Sequence, residues 1–118
     1  MIFLFISGEI RNGHYIYNLP RNIEGQFRVA LTDITFQNFT ASVYVLADIV
    51  AESLINDKVL PILRRVDNKK NIYNHIYYLK IELNFISRIR LSFLDKNLRN
   101  ITDTTFMCTL CLEPMNPV

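Results

Sequence analysis

The chain has 118 residues, half of them hydrophobic, and a formal net charge of +2. This length predicts one domain with a single core, and three glycines exclude long Gly-rich linkers. The opening run of six apolar residues is shorter than the roughly 20 that a transmembrane helix needs. It also lacks the basic region of a signal peptide. We therefore expect a soluble intracellular protein with no membrane partner.

The N-terminal segment predicts a β-hairpin. Ile2–Ile10 has the composition of an extended strand, and Asn12-Gly13 offers the two positive-φ positions that a type I′ turn requires. A return strand follows at residues 14–17. Pro20 is expected to break it, because proline cannot donate a ladder hydrogen bond.

In the next run, Gln26–Phe36, the apolar side chains change from one face of the strand to the other. Phe27, Val29 and Leu31 alternate on one side, whereas Ile34 and Phe36 fall on the other. A regular strand cannot change phase in this way. The change near Thr32 therefore predicts a β-bulge or a bend.

The most apolar run in the chain is Ser42–Val50, which predicts a central strand buried on both faces. Asp48 lies within it and should face outwards or have a partner, because an unpaired buried carboxylate is costly. Ala51–Asp57 is expected to be a connection. Two helical turns over Ala47–Leu54 are the alternative for this region.

Four further strands are predicted in the second half of the chain: Val59–Val66, Ile72–Leu83, Ser87–Leu94 and Thr104–Leu112. Pro61 places the first of them at an edge or a bulge. The third strand alternates cleanly, so that Arg88 and Arg90 should point outwards.

Seven to nine short strands without a convincing helix predict an all-β fold. An antiparallel β-sandwich is the preferred architecture, with a jelly roll or a barrel as alternatives. The domain should span residues 1–112, followed by a short tail at 113–118. The expected core residues are Val43, Val45, Leu46, Ile49, Leu63, Ile89, Leu91 and Phe93.

Cys108 and Cys111 form a CxxC pair without a second cysteine pair to complete a zinc site. In a strand, residues three apart point to opposite faces and lie about 10 Å apart. A disulfide needs Cα atoms about 4.4–6.8 Å apart. We therefore expect two free cysteines, Cys108 in the core and Cys111 on the other face, with a metal or redox role as the alternative.

No arrangement of residues predicts catalysis. The two histidines, His14 and His75, are isolated in sequence, and the carboxylates of Asp48 and Glu52 fit the end of a strand better than an acid–base pair. No phosphate-binding glycine loop is present. The sequence predicts no enzyme, no cofactor, no metal and no small-molecule substrate.

Positive charge is concentrated between residues 58 and 99, which carry ten basic and three acidic side chains. This part can attract phosphate or an acidic protein surface, although a solvated set of turns and strand faces is the simpler interpretation. Tyrosines at 73, 77 and 78 interleave with the basic residues, as in single-strand nucleic-acid binders. The candidate contact surface is Arg64, Arg65, Lys69, Lys70, Arg88 and Arg90.

Four segments together resemble a known family. Phe27–Phe36 resembles a W-E-V-A-L-x-E-I-x-Y run, and Val43–Val50 resembles V-Y-x-Y-x-D-I-V. Ile55–Val66 is similar to V-G-D-x-x-x-P-L-L-R-x-V, and Phe85–Leu91 to F-x-x-I-x-I-x-I. These patterns occur in this order, over residues 26–112, in β-rich proteins of Polinton (Maverick) elements and adintovirus-like viruses of animals.

The resemblance implies a virion component of the minor capsid type. The small proteins of bidnaviruses, which borrowed genes from such elements, are a second group to which the chain could belong. This chain departs from the pattern in a shorter N-terminal region, in Asn56 where the family has a turn glycine, and in its Cys-Leu-Glu-Pro ending.

We expect from it a non-enzymatic structural protein in the virion and inside the infected cell. It would form homo-oligomers or contact a viral capsid protein. A nucleic-acid-binding accessory protein is the alternative.

Overall fold

The computed structural model describes residues 1–37, 42–55, 58–67 and 76–115, with the side chains of 53–55 excepted. The described residues form ten strands: β1 Ile2–Ile10, β2 His14–Glu24, β3 Phe27–Phe36, β4 Val43–Ala47, β5 Ser53–Ile55, β6 Lys58–Leu60, β7 Ile62–Val66, β8 Leu79–Lys80, β9 Phe85–Asp95 and β10 Thr104–Pro114. In these ranges there is no helix of the length and apolar character that crossing a membrane requires.

Two four-stranded antiparallel sheets pack face to face, which confirms the predicted all-β sandwich. Sheet A has the order β1-β10-β3-β8, and sheet B has the order β2-β9-β4-β7. The short β5–β6 hairpin pairs separately, and it lies in the connection between β4 and β7.

The strand pairs are nested along the chain. β1 pairs with β10, β2 with β9, β3 with β8, and β4 with β7, so the chain resembles one long hairpin whose tip is β5–β6. Two further pairings, β10 with β3 and β9 with β4, join neighbouring parts of this hairpin into the two sheets.

The core lies between the inner faces of the sheets. Phe93 is at its centre, with ring centroids 5.9 Å from Phe36 and 4.8 Å from Phe106. The Tyr15 ring of sheet B meets Phe106 edge-on at 5.2 Å. All eight expected core residues are buried, and seven of them belong to this core: Val43, Val45, Ile49, Leu63, Ile89, Leu91 and Phe93. Leu46 is buried outside this cluster.

The hairpin turn and the bulge follow their sequence signals. Asn12 and Gly13 have φ values of 52° and 82°, as the predicted type I′ turn requires. In β3, Leu31 pairs with Leu110 and Asp33 with Thr109, which leaves Thr32 as an extra residue. The bulge confirms the prediction and lets Leu31 and Ile34 both face the core.

Two local predictions need correction. β2 continues through Pro20 to Glu24, although its pairing with β9 is interrupted between Asn18 and Ile23, the stretch that contains the proline. The helical alternative for Ala47–Leu54 is wrong. A turn at Asp48 leads to an isolated bridge between Val50 and Ile81, and then to β5.

The second half also differs from the predicted boundaries. The expected strand Val59–Val66 is divided at Pro61 into β6 and β7. The first four residues of the predicted strand Ile72–Leu83 lie outside the described residues, and its described part, 76–83, contains only the two-residue strand β8 and the isolated bridge at Ile81. β10 extends to Pro114, two residues beyond its expected end, because it remains paired with β3 at Phe27.

Candidate interaction surfaces

An uncovered apolar strip lies on the outer face of sheet A. The alternation of β1 turns Leu4 and Ile6 into the core, so the intervening aromatic side chains face outwards. Phe3 is 52% exposed and Phe5 is 77% exposed. Met107, which is 65% exposed, continues the surface on β10. We call Phe3, Phe5 and Met107 the apolar strip.

The other half of the same face is covered. The hydroxyl of Tyr78 lies 3.5 Å from the Cys111 Sγ, and the Arg28 guanidinium lies 4.5 Å from the Tyr78 ring centroid. Arg28 in turn donates a 2.7 Å hydrogen bond to Glu113. Ala30 and Cys111 are buried on this face. The apolar strip has no such cover among the described residues.

These contacts also change the pKa values of Tyr78 and Arg28. The hydrogen bond to Cys111, together with burial, raises the pKa of Tyr78 to about 12, so the phenol remains neutral at physiological pH. The hydrogen bond to Glu113 raises the pKa of Arg28. Tyr78 therefore stays neutral and Arg28 stays charged across the physiological range.

The two cysteines lie on opposite faces of β10, as the strand geometry predicts. Both are free and buried, Cys108 towards the core and Cys111 beneath Tyr78. Burial, with a smaller effect from the charge of Asp33, raises the pKa of Cys108 to about 12. In the described ranges no three His, Cys, Asp or Glu side chains group to hold a metal ion.

The four strands at the edges of the sheets differ in their protection. β8 is only two residues long, and β2 carries Pro20 in a stretch of shifted register. β7 follows Pro61 and carries Arg64 and Arg65. β1 has nine residues, with no proline and no charged side chain before Glu9. Short strands, prolines, charges and irregularities are the usual protection of edges. Among the described edges, β1 lacks them over most of its length.

Two of the predicted contact residues form a row on the outer face of sheet B. Arg88 and Arg90 are exposed, and they lie opposite Asn18 and Ile16 of β2. Residues two apart on a strand are separated by about 7 Å. The backbone amide of Arg90 donates to Asp48, which is itself exposed. The expectation that Asp48 faces outwards or has a partner is confirmed.

The other predicted contact residues do not join this row. Arg65 is exposed opposite Tyr44, at the far end of sheet B. By strand geometry its backbone is about 16 Å from that of Arg90. The Arg64 guanidinium lies 5.1 Å from the Tyr77 ring centroid, towards the segment that precedes β8. Lys69 and Lys70 lie outside the described residues.

Sequence reasoning missed a groove of about 310 Å³ on the outer face of sheet B. His14 Nδ1 lies 2.9 Å from Ser92 Oγ at its floor, and these residues are 78 positions apart in the chain. Desolvation, and then the charge of Arg90, lowers the pKa of His14. The imidazole is therefore neutral at pH 7. The described hydrogen bonds include none from this ring to a carboxylate, which an activated Ser–His pair uses to orient its base.

Comparison with protein-family models, curated proteins and solved structures finds no match to this chain.

Proposed function

We propose that this chain is a non-enzymatic structural protein of a virus or virus-derived element. It would act as a minor capsid or virion-associated component that assembles with itself or with a capsid protein. The observation that carries the proposal is the apolar strip, which remains open to solvent although the other half of the same face is covered. Exposed apolar patches of this kind commonly mark protein interaction sites.

The strand order supports the viral part of the proposal. The nested pairing is that of a long hairpin wrapped into two sheets of four. Consecutive main strands alternate between the sheets, except β4 and β7, which pair within sheet B. This arrangement fits a jelly roll, a fold used by viral capsid domains but also by lectins and cupins. The fold is an analogy, and the sequence resemblance to Polinton and adintovirus proteins favours the first of these three.

The size of the apolar strip limits what it can do alone. Its exposed area is on the order of 300 Å², and burying it would contribute about 7 kcal/mol. Association itself costs about 4–15 kcal/mol. The strip therefore gives weak pairwise association unless backbone hydrogen bonds or repeated contacts in an assembly are added.

Nucleic-acid binding is the second candidate function. Arg88 and Arg90 place two guanidinium groups side by side on a strand, at a spacing that can follow a phosphate backbone. Single-strand binders combine such a row with stacking aromatics. The row faces away from sheet A, so an apolar contact and a phosphate contact could occur on opposite sides of one molecule.

Sedimentation velocity over a wide range of protein concentration tests the first function. We expect concentration-dependent association, and we expect Phe5→Lys to weaken it about tenfold or more, about 1.4 kcal/mol. Phe85→Lys is the matched control, because Phe85 is 50% exposed on the other sheet. The same weakening in both variants would count against the apolar strip.

Salt separates the two candidate functions. A strip-driven contact should persist between about 50 and 200 mM salt, whereas phosphate-driven binding to a single-stranded oligonucleotide should fall steeply. Arg88→Glu combined with Arg90→Glu should abolish the second activity and leave the first unchanged. A strictly monomeric protein that binds the oligonucleotide would favour the accessory function.

A further inference from the structure

We propose that β1 pairs edge to edge with β1 of a second copy, antiparallel and about a two-fold axis. Sheet A would then continue into the sheet A of the partner. This inference rests on the proposed function and deepens it, because it names the partner and the contact that completes the apolar strip.

The backbone of β1 has groups available on its free edge. The amide of Asp103 donates to the carbonyl of Ile10 at 3.3 Å, so Ile10 directs its backbone towards β10. Along an antiparallel strand, residues alternate in the side to which they direct both backbone groups. The odd-numbered residues Phe3, Phe5, Ser7 and Glu9 therefore direct N–H and C=O groups away from β10.

The same residues carry the apolar strip, so one register can satisfy the backbone and the side chains together. With the axis beside Phe5, this residue lies opposite Phe5 of the partner subunit, and Phe3 lies opposite Ser7 of the partner subunit. Aromatic pairs across strands are stabilising. The two Met107 side chains would flank this aromatic group on the neighbouring strands.

Charge does not oppose the pairing. Glu9 is the one charged side chain of β1, and it lies at the end of the strand, 3.6 Å from Arg11. In the register centred on Phe5, the two Glu9 side chains lie about 27 Å apart along the strands. This separation exceeds the Debye length of about 8 Å at physiological salt.

A second copy fits this surface better than an unrelated strand. An antiparallel pair about a two-fold axis joins a strand to itself, so every molecule carries both halves of the contact and the assembly closes as a dimer. β1 is about 30 Å long. With the outer strip beside it, the pairing would bury on the order of 600 Å² per copy, somewhat below the typical 800 Å². We therefore expect a dimer that dissociates on dilution.

Amide hydrogen exchange tests the pairing directly in the unmodified protein. At concentrations where sedimentation shows a dimer, the outward amides of Phe3, Phe5, Ser7 and Glu9 should exchange at least tenfold more slowly than at dilution. The inward amides of Leu4 and Ile6 should be protected under both conditions, because β10 already binds them. Outward amides that remain unprotected in the dimer would overturn the edge pairing.

A proline at position 7 provides the second test. Ser7→Pro removes one outward donor and leaves the ladder with β10 intact, as edge positions tolerate. We expect its dimer dissociation constant to rise at least tenfold, and by more than that of Ser7→Ala, which loses the same hydroxyl but keeps the backbone amide. If Ser7→Pro fails to fold, the exchange measurement on the native protein decides.

The possible outcomes separate this inference from the proposed function. A dimer that weakens with Phe5→Lys, but shows unprotected outward amides, would replace edge pairing by face-to-face packing of the strip and keep the structural function. A protein that is monomeric at every concentration overturns the pairing itself.

Discussion

At the residue scale, neighbours in sequence have unrelated environments. Cys108 and Cys111 are only three positions apart, yet one lies in the core and the other lies under Tyr78 on the outer face. The strand geometry of β10 explains this separation, and it could be predicted from the alternation of the sequence. The tyrosine cover could not, because it comes from a segment 33 residues away.

Thiol labelling tests the cysteine environments. We expect neither Cys108 nor Cys111 to react with a disulfide reagent at about pH 8 until the protein is unfolded. Both side chains are buried. With a pKa of about 12, Cys108 would also have almost no thiolate. Ser87→Cys places a thiol on an exposed position away from β1 and serves as the reactive control. Rapid labelling of two native thiols in the original protein would contradict the structure.

Adjacent residues of a strand point to opposite faces, and a prediction from charge alone ignored this alternation for two arginines. Arg64 and Arg65 were expected to share one contact surface. In β7, Arg64 lies opposite the buried Val45, whereas Arg65 lies opposite Tyr44. The two arginines point in different directions, and neither joins the row on β9. The clustering of basic residues in the sequence therefore did not show which of them share one surface of the folded protein.

At the element scale, local signals with a backbone mechanism gave correct predictions. The turn at Asn12-Gly13 and the bulge at Thr32 both follow from positions where ordinary strand geometry cannot continue. The short strand β5 gave no such signal, since its three residues could equally belong to a helix or a connection. Prolines at 20 and 61 marked irregular edges correctly, but whether a strand continued or ended depended on its partner strand.

The β1–β2 turn provides a test at this scale. Gly13→Ala should lower the free energy of unfolding by about 1–3 kcal/mol, measured by urea denaturation. Its φ of 82° disfavours a side chain, and an added Cβ would lie 2.6 Å from Cγ of Asn100. Asn12→Gly keeps a positive φ accessible and is the control, with a change near zero. Equal stability of both variants would contradict the turn geometry.

At the scale of the whole molecule, nested strand pairs organise the fold. Ile2 pairs with Leu112, and β10 lies inside sheet A between β1 and β3. The strand closest to the C-terminus therefore completes the core that the first strand begins. Folds dominated by pairs this distant in sequence form slowly. The alternation of strands predicted a sandwich, whereas the order of strands in it required the structure.

Truncation tests the central position of β10. A chain that ends at Asp103 should show no cooperative thermal transition and should bind a hydrophobic dye, because sheet A loses β10, one of its two inner strands. A chain that ends at Met115 keeps all ten strands and should unfold cooperatively. Cooperative unfolding of the shorter chain would contradict the strand order.

The distance between β1 and β10 along the chain also has a consequence for biosynthesis. Roughly 100 residues separate them, and ribosomes add about 5–20 residues per second. The first strand is consequently synthesised about 5–20 s before its neighbour. During this interval the apolar nascent strand β1 can bind chaperones, or identical segments on adjacent ribosomes of the same polysome. The timing of translation, as well as the finished fold, therefore influences which strand β1 meets first.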